Sequence, residues 1–261
     1  GTTSQPIRVT GPLNKPYTGA ILARTSRGSG SYVIQLVNAR GIEFSGLVVS
    51  NAFIGIYEQN SQGILWNKGR VSHCVTNGIF AGSGADLTVS HSIIENSLTA
   101  GLQTLTGSTI RVHNSLLRNN DYAAILRKGG DLDVKNSIIL ASGDRRYVYW
   151  GGGGTLSSDY NNIRATDGAF VSGNEDRLPD RFLIDWQIRT SFSNDSRSLG
   201  YEPLFANAGT YDFHLLSEYG RYNPINGSWT NDTSTSRLID MGAPAFAFTN
   251  EPSPNGSRIN I

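Results

Sequence analysis

Three stretches decide the fold: LTVSHSIIENS at residues 87–97, IRVHNSLLRNN at 110–120 and LDVKNSIILAS at 132–142. Each opens on an alternating triplet, Leu87-Thr-Val89, Ile110-Arg-Val112 and Leu132-Asp-Val134, and a period of two is the signature of a strand. Working outward, the pairs Gly55-Ile56, Gly78-Ile79, Gly101-Leu102 and Ala124-Ile125 recur every 23 residues. A second apolar column, Val48, Val71, Ile94, Leu117 and Ile139, and a column of small residues, Gly46, Gly69, Ser92, Ser115 and Ser137, both advance by 23, 23, 23 and 22. A fixed period of this length marks a repeat architecture. Each repeat reads as two or three short strands. Stacking such repeats in parallel brings like side chains into register about 4.8 Å apart and encloses one continuous apolar core. The polar column His73, Asn96, Asn119 reads as part of a ladder of stacked amides.

The expected fold is therefore all-β, a parallel solenoid with about 23 residues per rung. Residues 33–142 hold the regular rungs, 1–32 an irregular entry that includes strands at Ile7–Val9 and Ser31–Leu36, and 143–261 an irregular, loop-rich end with one short helix within Pro179–Thr190. All are read as one domain, 1–261, excised from a larger protein. Glycine, 30 of 261 residues, exceeds the roughly 7% of ordinary chains and suits many turns. With 22 Lys+Arg against 21 Asp+Glu, no strong field exists to attract nucleic acid or an anionic membrane. No apolar run approaches the roughly 20 residues of a membrane helix. A lone Cys74 excludes an internal disulfide and a cysteine-based zinc site.

On these rungs the chain resembles the right-handed parallel β-helix proteins of the pectin-lyase-like superfamily. The tail adds SDYN at 158–161, Trp186, EPLF at 202–205, YDFHL at 211–215, LIDMG at 238–242 and NEPSPNGSRIN at 250–260, a pattern similar to secreted bacterial members. Arg237 departs from it, since similar tails carry a proline there. The resemblance implies a secreted or cell-surface location, further domains in the parent chain, and a role among lyases, hydrolases, epimerases, glycan-binding modules and adhesins. A fold alone does not choose among these.

Lyases of that superfamily hold Ca2+ with acidic residues and abstract a proton with Lys or Arg, which needs such groups on one face. The candidates are Arg111, Asp121, Arg127, Lys128, Asp131 and Asp133, and an enzyme would use Arg127, Lys128, Asp131 and Asp133. Yet the repeat stacks Arg111 with Asp133 and Glu95 with Arg118, and opposite charges on adjacent strands are ordinary cross-strand pairs. Glycosidases need converging carboxylates, whereas Asp159, Asp185, Asp212 and Asp240 sit in tail phrases suited to bridging turns. His73, His91, His113 and His214 lack metal-ligand spacing. Gly151–Gly154 lacks the Lys-Ser/Thr of a phosphate loop. Nothing in the sequence requires a cofactor, and nothing excludes Ca2+.

Aromatic rings give the stronger lead, because the C–H face of a sugar packs on a flat ring. Tyr57 and Phe80 share an outward column with Gln103 and Leu126, and Tyr147, Tyr149 and Trp150 follow near the end of the rungs. These five rings are the expected glycan-binding residues. Sequons at Asn194, Asn226, Asn231 and Asn255 mark exposed loops. The favoured reading is a glycan-recognition or adhesion module binding a polysaccharide. A polysaccharide lyase or hydrolase comes second, and a passive spacer third.

Overall fold

The alternating repeats become three strands per rung, separated by corners. The computed structural model describes residues 1–2, 4–13, 17–223, 226–248 and 258–261. Ile7–Thr10, Arg40–Ser45, Gln62–Asn67, Asp86–Ser90, Thr109–His113, Asp131–Lys135 and Leu156–Asp159 stack in parallel as sheet A. Sheet B contains Ala20–Ala23, Leu47–Ser50, Arg70–Ser72, Ile93–Glu95, Leu116–Arg118, Ile138–Ser142 and Asn162–Thr166. Tyr32–Val37, Ile54–Gln59, Asn77–Ala81, Ala100–Leu105, Ala123–Lys128, Tyr147–Gly152 and Phe170–Asn174 form sheet C, closed by the antiparallel strand Arg177–Asp180.

Alternation sorts each strand's side chains between lumen and surface. Trp66, Val89, Val112 and Val134 of sheet A, Val71, Ile94, Leu117 and Ile139 of sheet B, and Ile56, Ile79, Leu102 and Ile125 of sheet C meet in one core. Each such side chain contributes roughly 1.5–3 kcal/mol by leaving water. The register shifts the first members of two expected columns by one residue. Val49, not Val48, pairs with Val71, and Gly46 lies level with Lys68 because Ser45 pairs with Asn67. Gly46 and Lys68 share a left-handed backbone, φ 66° and 49°. That conformation costs glycine little, so the sequence alignment of Gly46 with Gly69 was a coincidence of residue type.

Parallel stacking continues past the point where the strict period lapses. Ile125 pairs with Tyr149, Leu132 with Leu156 and Ile139 with Ile163, each 24 residues on, and Tyr149 pairs with Ser172. One extra residue per rung hid these strands. The column His73, Asn96, Asn119 shares left-handed φ values of 56°, 55° and 52°, a conformation that asparagine tolerates better than most residues. An amide-to-amide bond joins Asn60 Nδ2 to Asn38 Oδ1 at 2.5 Å, at the corner between sheets C and A.

Helix α1, Leu183–Arg189, lies within the expected segment. Its Trp186 stacks on Tyr149 with centroids 5.5 Å apart and closes the end of the lumen. From there the tail runs back over sheet B. Buried Glu95 is held between Arg70 and Arg118, at 3.4 and 2.8 Å. Tyr211 and Phe213 lie against those two guanidinium groups, at 4.2 and 4.7 Å. Leu238 and Ile261 cover Ile93, Leu116 and Ile138. The tail phrases YDFHL and LIDMG thus supply the apolar cover for sheet B. Most of NEPSPNGSRIN, with the Asn255 sequon, lies outside the described residues.

Candidate functional site

The tail covers sheet B but stops at the corner between sheets A and B, leaving a groove there. Each rung turns this corner on one left-handed residue, Lys68, His91, Asn114 or Asn136, with φ 49°, 46°, 48° and 52°. The next position must be small, because a Cβ at Gly69 would lie 2.6 Å from the Trp66 ring. Further along, serine hydroxyls use the space. Gly69 N donates to Ser92 Oγ, Ser92 N to Ser115 Oγ and Ser115 N to Ser137 Oγ, each at 3.2 Å. This ladder keeps the corner side chains aligned from rung to rung. Ser115→Ala removes one acceptor and should cost about 1 kcal/mol, read as a lower urea midpoint with an unchanged slope; an unchanged midpoint would show the ladder to be inert.

The groove has a volume of about 790 Å³. Lys68, His91 and Asn114 line it from the corner, Asn67, Ser90 and His113 from the edge of sheet A, and Tyr17, Phe246, Ala247 and Phe248 complete its walls. Asn136, next in the corner column, is buried where its Oδ1 accepts Ala243 N at 2.6 Å, and this contact anchors the tail beside the groove. Tyr17 Oη donates to His91 O at 3.0 Å, and burial pushes its pKa up to about 12.

Cationic and hydrogen-bonding groups stand among apolar ones in the lining. His113 Nε2 lies 2.8 Å from Asp133 Oδ2, and Lys135 Nζ lies 2.7 Å from Asp133 Oδ1. Burial alone would raise the Asp133 pKa, but bonds from Lys135, His113 and Ser157 outweigh it, and the carboxyl sits below its usual range. His91 Nδ1 is 2.7 Å from Ser90 Oγ. Burial, then the nearby Lys68 and His113, lowers the His91 pKa.

The sequence pattern of right-handed β-helix regions matches residues 20–173, more than half the chain. The chain belongs to the right-handed β-helix family. No curated protein matches this β-helix protein. A solved structure described as the crystal structure of pectate lyase Pel9A aligns over 100% of this chain and 80% of its own length, with a TM-score of 0.46 and 13% identity. So distant a likeness says nothing about what this β-helix does.

Of the residues expected to form an enzyme site, Lys128 and Asp131 line one shallow pocket beside Gly129 and Gly152–Gly154, but the β-helix keeps the four apart as a set. Ile125 points into the lumen, so Leu126 points out, Arg127 in and Lys128 out. Arg127 is buried, donates to Gly153 O at 3.0 Å, and has its pKa lowered by burial. Lys128 is exposed on sheet C, and Asp131 and Asp133 lie on the outer face of sheet A. Arg127 and the two aspartates therefore stand on opposite sides of the wall, and the expected set does not assemble. Arg111 and Asp133 are neighbours in register, but Arg111 pairs with Asp86 at 2.6 Å, and Asp121 pairs with Arg146 at 2.6 Å. Among the described residues no three His, Cys, Asp or Glu side chains converge as a metal site would require.

The expected aromatic strip is real, though flat. Tyr57 is sandwiched between Tyr32 and Phe80, with centroids at 4.8 and 5.3 Å and planes 18° and 4° apart. Neighbouring rings cover both of its faces, so it presents an edge to solution. Tyr147 packs on Phe170 and Trp150, at 5.4 and 4.4 Å, leaving Trp150 half-buried on the outer face. Tyr149 requires a correction. It continues the inward Ile56–Ile125 column, is 1% exposed and bonds Ser158 Oγ at 2.9 Å, so it cannot present a ring to a glycan. Cys74 is buried, and burial raises its pKa to about 11, against the needs of a nucleophile. The groove residues were missed because Phe246, Phe248 and Tyr17 reach the corner from segments outside the repeat.

Proposed function

We propose that this β-helix protein is an extracellular glycan-recognition or adhesion module that holds a carbohydrate in the groove between sheets A and B. The groove carries the reading. Its volume falls within the roughly 300–1,000 Å³ typical of ligand sites. Asn67, Ser90 and Asn114 offer donors and acceptors on successive rungs, and Phe246 and Phe248 add the apolar surface that the C–H faces of a sugar require. The failure of Arg127, Lys128, Asp131 and Asp133 to meet favours recognition over a lyase or hydrolase built on them. The outer face of sheet C, with Phe80 and Trp150, is a secondary contact surface.

A panel of plant, marine and bacterial polysaccharides tests this by affinity electrophoresis followed by titration calorimetry. Retention by at least one glycan is expected. Phe246→Ala and Asn114→Ala should each weaken it about ten-fold, equivalent to about 1.4 kcal/mol, while Tyr57→Ala leaves it unchanged. Loss of binding in Tyr57→Ala alone would move the site to sheet C. No retention by any glycan would leave the spacer reading in its place.

A further inference from the structure

We propose that the groove also hydrolyses acyl esters, with Ser90 as nucleophile and His91 as its general base, and that its substrate class is the O-acylated glycan. The substrate class rests on the glycan reading above; the ester chemistry rests on the geometry of the two side chains.

Ser90 ends its strand of sheet A, and His91 is the left-handed corner residue that follows. The corner fixes the His91 backbone. His91 N donates to His113 O at 3.2 Å, and His91 O accepts from Tyr17 Oη at 3.0 Å. With the ring proton on Nε2, Nδ1 accepts the Ser90 hydroxyl at 2.7 Å, within the reach required of a nucleophile and its base. The lowered pKa of His91 supports the same assignment, because a neutral ring is available to take the proton at neutral pH. One rung on, His113 is in register with Ser90 and is oriented by Asp133, itself paired with Lys135. Lys68 and His113 are the groups whose charge acts on His91. Lys68 lines the same groove and supplies the positive charge that offsets a tetrahedral carbonyl oxygen. Asp133 and Lys135 are positioning residues.

The reaction balances with water alone. Ser90 Oγ bonds to the ester carbonyl carbon as its proton moves to His91 Nδ1. The bond from that carbon to the sugar oxygen then breaks, and the sugar oxygen takes the proton, leaving an acyl-serine and a free sugar hydroxyl. Water, deprotonated by the same Nδ1, attacks the acyl carbon, releases the carboxylic acid and restores the serine hydroxyl.

The test treats the 261-residue chain with a fluorophosphonate, maps the adduct by mass spectrometry, and follows release of acetate from an O-acetylated oligosaccharide. One adduct, on Ser90, is expected. It should be absent in Ser90→Ala and formed at least 100-fold more slowly in His91→Asn. Folding of each variant is checked by circular dichroism. The wild type should also bind the same oligosaccharide after chemical removal of its acetyl groups. No adduct, an adduct on another serine, or equal acetate release by Ser90→Ala would overturn the proposal. Binding of the oligosaccharide by the wild type without release of acetate would overturn only the ester chemistry and leave recognition standing. Ser90 labelling with no glycan bound would overturn the glycan reading and leave the nucleophile assigned.

Discussion

Replacing Glu58 by glutamine should stabilise the protein at alkaline pH by several kcal/mol and leave it nearly unchanged at acid pH. Glu58 lies in the inward column of sheet C, with Leu36, Ala81, Thr104 and Arg127 as its register neighbours. It is 0% exposed. Oε1 accepts Asp86 N at 3.2 Å, while Oε2 is buried with no hydrogen-bond partner among the described residues. Burial pushes its pKa from an ordinary 4.5 up to about 8, and the Asp86 carboxylate adds to the rise. Between those two pH values the native state keeps the proton and the unfolded chain has lost it. The stability that neutral Glu58 allows is therefore fully present below about pH 4.5 and falls away as pH rises through about 8. A shift of that size corresponds to about 5 kcal/mol, an upper figure for a group that relaxation or a trapped water would partly rescue. Glutamine keeps the Oε1 acceptor and has no charge to lose. Urea midpoints of both proteins from pH 4.5 to 9 should converge at the acid end and diverge steadily above it; two parallel profiles would show that Glu58 ionises freely.

The same side chain shows where the sequence was legible and where it was not. The rungs could be read because like residues are forced into register by backbone pairing every turn, so Ile56, Ile79, Leu102 and Ile125 announce themselves by spacing. The lumen's polar members could be read by parity too. If Ile56 and Ile125 face inward, then so do Glu58 and Arg127, and counting two residues further along each strand would have removed Arg127 from any surface site. What misled was residue type, since a charged side chain at the end of a strand was assigned to solvent whatever its parity. Tyr149 shows the converse. Trp150 points outward by alternation, but Tyr147, two residues before Tyr149, lies outside only because Val148 and Tyr149 both face the lumen and break the alternation there. The groove had no local signal at all, because its walls come from segments some 70 to 150 residues away along the chain from the corner they face.

Asp195→Ala should be the most damaging single change at the closed end of the lumen, costing about 3–5 kcal/mol. Asp195 is 0% exposed, and its carboxylate is the common acceptor for four donors. Ser158 Oγ and Ser198 Oγ each reach Oδ1 at 2.7 Å, Asn161 Nδ2 reaches Oδ1 at 3.3 Å, and Trp186 Nε1 reaches Oδ2 at 2.9 Å. Burial raises its pKa despite these bonds, so much of their strength offsets the desolvation of the carboxylate. Alanine would take the acceptor from the buried indole N–H and the Ser198 hydroxyl, leave the Asn161 amide on Val134 O and the Ser158 hydroxyl on Tyr149, and loosen Trp186 against Tyr149. The SDYN phrase and Trp186, far apart in sequence, thus meet at one buried acid that closes the solenoid. Asparagine retains one acceptor oxygen but turns an amide N–H2 toward existing donors, so Asp195→Asn should fall between wild type and alanine. Calorimetric unfolding should place the three proteins in that order, with Trp186 fluorescence in Asp195→Ala shifted toward that of a solvent-exposed indole. If Asp195→Ala unfolds within about 1 kcal/mol of wild type, less than one typical hydrogen bond is at stake there, and the closure of the lumen must rest on the stacking of Trp186 on Tyr149 alone.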